Sequence, residues 1–284
     1  MSDSIAKLHM TGLGGSAASS LMGVPGAFGD AHTVYAECLG LRPKVEESDA
    51  MWVGNHNESL IRQWYERKTG YKGAPQFIRH PEIPWMLGNL DWLKDDKKRF
   101  AEFKVAGLHS WREWGDPEKQ QIPMGYYFQG LHYAMLTGIH AWDFVVLIGT
   151  EFRIYPQVWN ESLAGRLYEV ERNFWTEHVE KKIPPPVDHT ESCKHLLAWM
   201  WPKNEDDEIR LPKDDAEAKA LAHLADCYEN LEAEEGNYVE ACNRVKAMIG
   251  DGSGMQSERC KATWKANKKG VRVFLVKPKE VDNG

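Results

Sequence analysis

Three residues between positions 88 and 104 could together hold a metal ion. Asp91 and Glu102 supply carboxylate oxygens, the ligands that hard divalent cations prefer. Lys104 follows Glu102 by two residues and supplies an ammonium group that could lie beside such an ion. Two carboxylates, a cation and a lysine are the groups needed to hydrolyse a phosphodiester. The spacing therefore makes this stretch a candidate metal site.

The local sequence predicts a strand that would position two of these residues. In the run RFAEFKVA, Glu102 and Lys104 share one face, while Phe103 and Val105 point to the other. The first face is expected to be accessible to solvent, with Asp91 beside it if Asp91 ends the preceding strand. Taken alone the pattern is weak, because a solvated strand with an incidental ion pair would look the same.

Length and composition predict one main fold with room for an appendage. The chain has 284 residues, 42% of them hydrophobic. No apolar run has the length of a signal peptide or of a membrane span, which predicts a soluble cytoplasmic protein. The five cysteines are scattered and include no CxxC pair. They therefore indicate neither a disulfide framework nor a zinc or iron–sulfur site.

The net charge of -7 argues against a protein that coats nucleic acid by bulk electrostatic attraction. It does not exclude a nuclease, because metal-binding carboxylates themselves add negative charge. Basic residues form one cluster beside the candidate site, namely Lys94, Lys97, Lys98 and Arg99. A second basic cluster near the end of the chain consists of Lys261, Lys265, Lys268, Lys269 and Arg272.

Two predicted helices each carry a polar residue on an otherwise apolar face. That residue is Glu58 in the helix at 51–68 and Gln129 in the helix at 123–137. Such a glutamate is either satisfied by a neighbouring donor, the commoner case, or directed at a metal or a lysine. A further helix is expected to start at Ser16 as its N-cap, where backbone amides could receive a phosphate. An ordinary capped helix is the plainer alternative there.

Later patterns predict further strands and a boundary after three consecutive prolines. Residues 142–149 and the following FRIYP read as two strands, and an amphipathic helix follows them. The prolines at 184–186 predict a core domain at 1–186 and a C-terminal segment at 187–284. In that segment, residues 214–248 read as a long structural or oligomerising helix with heptad-like apolar spacing, followed by a strand.

Five motifs resemble, in order and spacing, the lambda-exonuclease-like, YqaJ-type viral recombinase family. They are GGS at 14–16, a helix with Gly54 and Glu58, LD at 90–91, EFK at 102–104 and QGLHY at 129–133. The resemblance covers residues 10–182 and extends to TWK at 263–265. It implies a PD-(D/E)xK restriction-endonuclease-like core of the α/β (α+β) class, with helices flanking a central mixed sheet and a C-terminal helical appendage.

The resemblance implies a role for each matched residue. The catalytic residues would be Glu58, Asp91, Glu102, Lys104 and the QxxxY pair Gln129 and Tyr133. The metal ligands would be Glu58, Asp91, Glu102 and the carbonyl of Phe103. Contacts to DNA and its 5′ phosphate are expected from Gly15, Ser16, Lys97, Lys98 and Arg99. Leu131 departs from the pattern, because family members often have a second glutamine there.

The resemblance also implies a reaction and its partners. Family members degrade duplex DNA from the 5′ end with Mg²⁺, and they act beside a single-strand annealing protein in phage recombination. For this chain the expectation is two Mg²⁺ ions, with Mn²⁺ as a substitute. The expected assembly is a homotrimeric ring in the cytoplasm of a bacterial host cell, with no membrane association.

Two other functions stay open on the sequence. An iron–sulfur RecB-type nuclease of the same superfamily would need a cysteine cluster, which the sequence lacks. A non-catalytic DNA-binding or assembly protein would be indicated by the loss of Asp91, Glu102 or Lys104. All three residues are present.

Overall fold

The computed structural model describes residues 10–25, 27, 29–107, 111–203, 209, 211–249, 251–257 and 260–278. Its helices are α1 (Gly15–Leu21), α2 (Ala31–Cys38), α3 (Asp49–Thr69), α4 (Met124–Thr137), α5 (Glu161–Phe174), α6 (Glu191–Met200) and α7 (Asp215–Ile249). Its strands are β1 (Gly73–Arg79), β2 (Leu87–Lys94), β3 (Phe100–Ala106), β4 (Ala141–Ile148), β5 (Glu151–Val158), β6 (Gly254–Gln256), β7 (Cys260–Ala266) and β8 (Arg272–Pro278). The helices predicted at 51–68, 123–137 and 214–248 and the strands predicted at 142–149 and in FRIYP are confirmed, with small shifts at their ends.

The main sheet is mixed and runs in the order β1-β2-β3-β4-β5. All its neighbouring pairs are antiparallel except β3 and β4, which pair in parallel. The crossover between these two strands contains α4, as a parallel connection requires. The predicted fold class, a central mixed sheet flanked by helices with a C-terminal helix, is confirmed.

Each face of the sheet packs against its own helices. On one face, Ile61 and Tyr65 of α3 contact Phe103 of β3 and Val145 of β4. On the other face, α4 and α5 contribute residues such as Leu131 and Leu167 to the largest apolar cluster. The alternation predicted for RFAEFKVA is therefore confirmed, with Phe103 on the α3 face and Glu102 on the α4 face.

A buried ion pair fixes α4 between α5 and β2. The His132 ring donates from Nδ1 to Glu171 Oε1 at 2.8 Å and from Nε2 to the Leu87 carbonyl at 2.9 Å. Because both partners accept hydrogen bonds, both ring nitrogens carry protons and His132 is an imidazolium. Burial alone would lower the pKa of His132, but the Glu171 carboxylate and the hydrogen bonds raise it above the ordinary value.

We expect this pair to contribute most to stability at low pH. The folded-state pKa of His132 exceeds its unfolded value, so the contribution is complete below about pH 6.5 and is lost as the pH rises through the folded pKa. In urea unfolding, the free-energy difference between wild type and His132→Gln should shrink as the pH rises. The exposed His195 of α6 provides a control, His195→Gln. A difference for His132→Gln that is constant with pH would contradict the assignment.

The boundary between the two compact units falls after Asn204, not after Pro186 as expected. Helix α6 explains the difference, because Leu196 packs into an apolar cluster with Val34 and Tyr35 of α2 and with Phe174. The prolines therefore mark a bend within the first unit. Among the described residues, no helix combines the length and the apolar character needed to cross a membrane.

The C-terminal unit consists of α7 and a three-stranded antiparallel sheet in the order β6-β7-β8. Near its C-terminal end, α7 lies against this sheet across an apolar cavity lined by Val245, Ala262 and Phe274. The heptad-like apolar positions closer to its start are 58–64% exposed. They are Leu221, Leu224, Tyr228 and Leu231.

Candidate active site

Three polar side chains meet where β3 faces α4. The Glu102 carboxylate is 1% exposed, and its Oε2 accepts hydrogen bonds from Lys104 Nζ at 3.1 Å and from Gln129 Nε2 at 3.0 Å. Glu102 and Lys104 lie two residues apart on β3, and Gln129 lies on α4. The expectation that Glu102 faces solvent is wrong, because α4 covers it.

A β-bulge directs Asp91 toward this group. Ala74 pairs with Leu93 and Gln76 with Leu90, so Pro75 alone on β1 faces both Asp91 and Trp92 on β2. A proline lacks the N–H that a regular ladder requires, and bulges re-aim side chains next to active sites. Asp91 consequently lies within β2. The supposition that Asp91 ends this strand is wrong.

Beyond two paired positions, the carboxylates of Asp91 and Glu102 take the place of backbone hydrogen bonds between β2 and β3. That ladder pairs Trp92 with Ala101 and Leu93 with Phe100. Next to it, Glu102 Oε1 accepts from the Asp91 amide at 3.3 Å, and Asp91 Oδ2 accepts from the Phe103 amide at 2.8 Å. In an extended strand the N–H and C=O of one residue face the same neighbour. The Phe103 carbonyl therefore faces the side occupied by Asp91.

The site concentrates negative charge where water is scarce. Burial raises the pKa of Glu102, and the nearby Asp91 carboxylate raises it further, while Lys104 acts in the opposite direction. Burial likewise raises the pKa of Asp91. Burial would lower the pKa of Lys104, but Glu102 and Asp91 outweigh this and raise it, so Lys104 remains an ammonium. One half-buried ammonium accompanies the buried Glu102 carboxyl group and the half-buried Asp91 carboxyl group, an arrangement that a further cation would stabilise.

Glu58 completes the carboxylate set from α3. Its side chain is exposed at the rim, and the pKa of Glu58 is raised by partial desolvation and then by repulsion from Asp91, with Lys104 opposing. The structure thus brings Glu58 into electrostatic range of the pair on β2 and β3.

Tyr126 also lies at the site but was not identified as a site residue from the sequence. The centre of its ring lies 5.6 Å from Lys104 Nζ. Its position one helical turn before Gln129 was the sequence signal that could have identified it.

Tyr133 is enclosed between two glycines. A Cβ at Gly15 would lie 2.7 Å from the Tyr133 ring, and one at Gly88 would lie 2.5 Å from it. Gln129 Nε2 lies 3.5 Å from Tyr133 Oη, so α1, β2 and the QxxxY pair share one contact region. The helix begins at Gly15 with Gly14 as N-cap, so Ser16 is not the N-cap that we predicted. It is exposed in the first turn.

We expect Gly15→Ala to lower any activity of this site by about 10- to 10²-fold, because moving a catalytic group by ~1 Å can cost about 10²-fold. The added methyl group cannot coexist with the Tyr133 ring in its present position. Gly14→Ala is the matched control, since its Cβ would approach Leu87 no closer than 3.9 Å. Steady-state rates for both variants test this. Equal rates would contradict a steric role for Gly15.

Of the three basic residues proposed to contact DNA, Arg99 has a different role. Its guanidinium donates to both Asp143 oxygens at 2.6 and 2.7 Å. Tyr65 donates to the same carboxylate, which is buried. A buried carboxylate needs such donors, so Arg99 stabilises the fold, and its contact with DNA stays a prediction. Lys97 and Lys98 are exposed on the turn between β2 and β3.

Part of the chain is similar to a known protein family. Residues 6–140 match the model of the YqaJ-like viral recombinase domain, which confirms the family resemblance over that stretch. The uncharacterized protein YqaJ of Bacillus subtilis (strain 168) is 26% identical over 203 residues, which are 69% of this chain and 62% of that protein. The chain thus spans less than two thirds of the length of this relative.

Two solved structures share the fold. The alkaline exonuclease LHK-Exo from Laribacter hongkongensis has 18% sequence identity and a TM-score of 0.52, over 67% of this chain and 95% of that one. Its complex with dAMP gives the same identity and TM-score, over 63% of this chain and 92% of that one. At this level of identity the likeness establishes the fold.

Proposed function

We propose that this chain, with its YqaJ-like viral recombinase domain, is a Mg²⁺-dependent exonuclease that degrades linear duplex DNA in the 5′-to-3′ direction. The 3′ single-stranded tails that remain would serve phage-type homologous recombination by single-strand annealing. The observation that carries the proposal is the convergence of Asp91, Lys104 and Gln129 on the buried carboxylate of Glu102. The family match and the exonuclease-like fold support a nuclease.

The donor set fits a hard divalent cation. Two carboxylates with raised pKa values share one site, and oxygen ligands are those that Mg²⁺ selects. Asp91, Glu102 and the Phe103 carbonyl would hold Mg²⁺, and Glu58 would contribute to a second ion, with Mn²⁺ as a substitute. When bound, such ions polarise a phosphodiester and lower the pKa of a coordinated water.

The protein groups around that position orient and stabilise the reacting phosphate. Lys104 holds a compact positive charge that orients the nucleophile and offsets negative charge growing on the phosphate. Gln129 donates to Glu102 Oε2 and so fixes the carboxylate. Tyr133 fixes the position of α4 against α1 and β2 through its contacts with the two glycines.

Residues at the rim contact the DNA. Ser16 is exposed beside Gly15, which touches the QxxxY pair, and its hydroxyl binds the 5′ phosphate of the DNA end. Lys97 and Lys98 neutralise backbone phosphates farther along the duplex. The enzyme acts with a single-strand annealing protein in the cytoplasm of a bacterial host, as a phage or prophage protein.

A digestion assay tests the activity. Linear duplexes with 5′-phosphate, 5′-hydroxyl or phosphorothioate ends would be incubated with and without Mg²⁺. We expect Mg²⁺-dependent release of nucleotides that is fastest from 5′-phosphate ends and blocked by 5′ phosphorothioates. Degradation blocked instead by 3′ phosphorothioates would reverse the polarity, and DNA binding without release of nucleotides would favour a non-catalytic protein.

The assembly is a homotrimeric ring that encloses the DNA. An acidic chain gains little from bulk attraction to the backbone, so enclosure would keep it on its substrate. The exposed apolar face of α7 supports self-association, because exposed apolar stripes mark interaction surfaces. Light scattering tests the ring. A mass near the 32.5 kDa of one chain together with processive digestion would contradict it.

Reversing both charges in Lys97→Glu/Lys98→Glu should weaken DNA binding and flatten its salt dependence. Each lost phosphate contact reduces the slope of log K against log salt by about 0.9. Lys181→Glu/Lys182→Glu is the matched control, since both are exposed neighbouring lysines and Lys182 shares the left-handed backbone of Lys97. An unchanged slope for the first pair would place these lysines away from the DNA.

A further inference from the structure

A second group of potential metal ligands lies where α2 and α6 pack together. His32 belongs to α2, Asp188 lies just before α6, and Cys193 belongs to α6. One donor atom from each of the three residues lies within 4.8 Å of the other two. None of these residues takes part in the proposed nuclease site.

The His32 ring is oriented like that of a metal-ligating histidine. Its Nε2 lies 3.0 Å from the carbonyl oxygen of Pro186, and because a carbonyl only accepts hydrogen bonds, Nε2 carries a proton. This contact directs Nδ1 to the other side of the ring, where it is the nitrogen that could bind a metal. Ligating histidines characteristically donate their other ring N–H to such an acceptor.

The free nitrogen is buried without a hydrogen bond. His32 is 4% exposed, and within the part of the chain that the structure describes its Nδ1 has no hydrogen-bond partner. The carboxylate oxygens of Asp30 and Asp188 lie 3.8 and 3.9 Å away, beyond hydrogen-bond range. An unpaired buried nitrogen costs free energy, and a metal ion at this position would remove that cost.

The other two donors are oriented toward the same point. Asp188 Oδ1 accepts from the Thr190 amide and hydroxyl at 2.9 and 2.6 Å, which leaves Oδ2 facing His32. Cys193 Sγ accepts from the Asp188 amide at 3.4 Å, which holds the sulfur beside Asp188. Asp30 is committed elsewhere, because it caps α2 and accepts from Ser192.

We propose that His32 Nδ1, Asp188 Oδ2 and Cys193 Sγ bind Zn²⁺, with water as the fourth ligand. Nitrogen, thiolate and carboxylate are the donors of tetrahedral zinc sites, in which ligand atoms lie roughly 3.5 Å apart. Asp188, whose side chain is 41% exposed, has the freedom to close the remaining distance. A thiolate disfavours Mg²⁺, so this ion differs from the one proposed at Asp91.

The bound ion would join the segment after the three prolines to the N-terminal part of the first unit. Its ligands come from residues 32, 188 and 193, and the Pro186 carbonyl orients the histidine. Sequence reasoning could not detect the site, because it contains a single cysteine and because His32 lies more than 150 residues before the other two ligands. A bound ion would tie together two segments that a long stretch of chain separates.

Co²⁺ titration of the metal-stripped full chain in excess Mg²⁺ tests the site. We expect one equivalent of Co²⁺ to produce thiolate-to-cobalt charge-transfer absorption, and Zn²⁺ to displace it. Cys193→Ser should abolish the absorption. Asp188→Asn, at a partly exposed side chain, should weaken Zn²⁺ binding by more than about tenfold, since outer-shell changes alone cost about 10–100-fold.

Two controls separate this site from other donors. Cys227→Ser should leave the absorption intact, although Cys227 lies 3.6 Å from a His223 ring nitrogen on the exposed helix. Glu102→Gln should also leave it intact. Zn²⁺ should raise the unfolding temperature of the wild type but not of Asp188→Asn. Absence of the absorption in the wild type, its persistence in Cys193→Ser or its loss in Cys227→Ser would overturn the proposal.

Discussion

Lys104→Ala and Glu102→Gln are each expected to lower metal-dependent DNA hydrolysis by at least about 10²-fold, the loss typical of removing one charge-stabilising group from an active site. Lys104 Nζ lies 3.1 Å from Glu102 Oε2 in a pocket where burial leaves charges poorly screened. Under the proposed function, removing the ammonium would take away the positive charge next to the reacting phosphate, and removing the carboxylate would take away a proposed metal ligand. Initial rates on linear duplex DNA at saturating Mg²⁺ measure both losses.

Two companion variants and a folding control define the cause. Lys104→Arg should remain inactive, because a planar guanidinium does not reproduce a compact ammonium. Lys68→Ala, at an exposed lysine of α3, should keep the wild-type rate. Because Glu102 is buried, circular dichroism must show that each variant is folded, and Glu102→Gln preserves the volume of the side chain. Turnover within about tenfold of wild type in a folded Lys104→Ala protein would refute the assignment.

Arg99→Ala is expected to lower the free energy of unfolding by about 3–5 kcal/mol, the range for removing one partner of a buried ion pair. The bidentate contact with Asp143 would be lost, and within the described part of the chain this buried carboxylate would keep Tyr65 as its one side-chain donor. Asp143 lies on β4 and Arg99 immediately precedes β3, so the loss falls on the parallel pair that includes the strand with Glu102 and Lys104. Urea denaturation measures the change.

Lys98→Ala is the control for that experiment, because its side chain is exposed on the same turn and should change stability by less than about 0.5 kcal/mol. The double variant Arg99→Leu/Asp143→Leu should recover part of the loss, since it leaves no unpaired buried charge. If Arg99→Ala has wild-type stability but weaker DNA binding, the original interpretation of Arg99 as a DNA contact would be correct after all.

The face of a strand or helix on which a residue lies could be predicted from the sequence, because it depends on the spacing of residues along the chain. The placement of Glu102 and Lys104 on one face follows from the two-residue period of a strand, and Gln129 on the inner side of α4 follows from helical spacing. The position of Asp91 was less accessible, because it depends on a bulge opposite Pro75 in another strand. Register between strands is a tertiary property that periodicity within one strand does not encode.

The ion pair between Arg99 and Asp143 was inaccessible from the sequence for a similar reason. Within the run KKR, Arg99 is indistinguishable from its exposed neighbours Lys97 and Lys98. The informative residue was Asp143, 44 positions later, because a carboxylate inside the apolar run WDFVVLI requires a buried cationic partner. Searching for the partner of an isolated buried charge would have pointed to an arginine, the residue best suited to a bidentate contact.

The close contact of Tyr133 with Gly15 and Gly88 also bears on how this fold diverges in evolution. Three separate elements supply these residues, and the tyrosine ring occupies the space that a side chain on either glycine would need. Positions 15, 88 and 133 should therefore covary among proteins of this fold, with a residue larger than glycine appearing where position 133 carries a smaller side chain. In a deep mutational scan the two glycines would score as essential although neither contributes a reactive group.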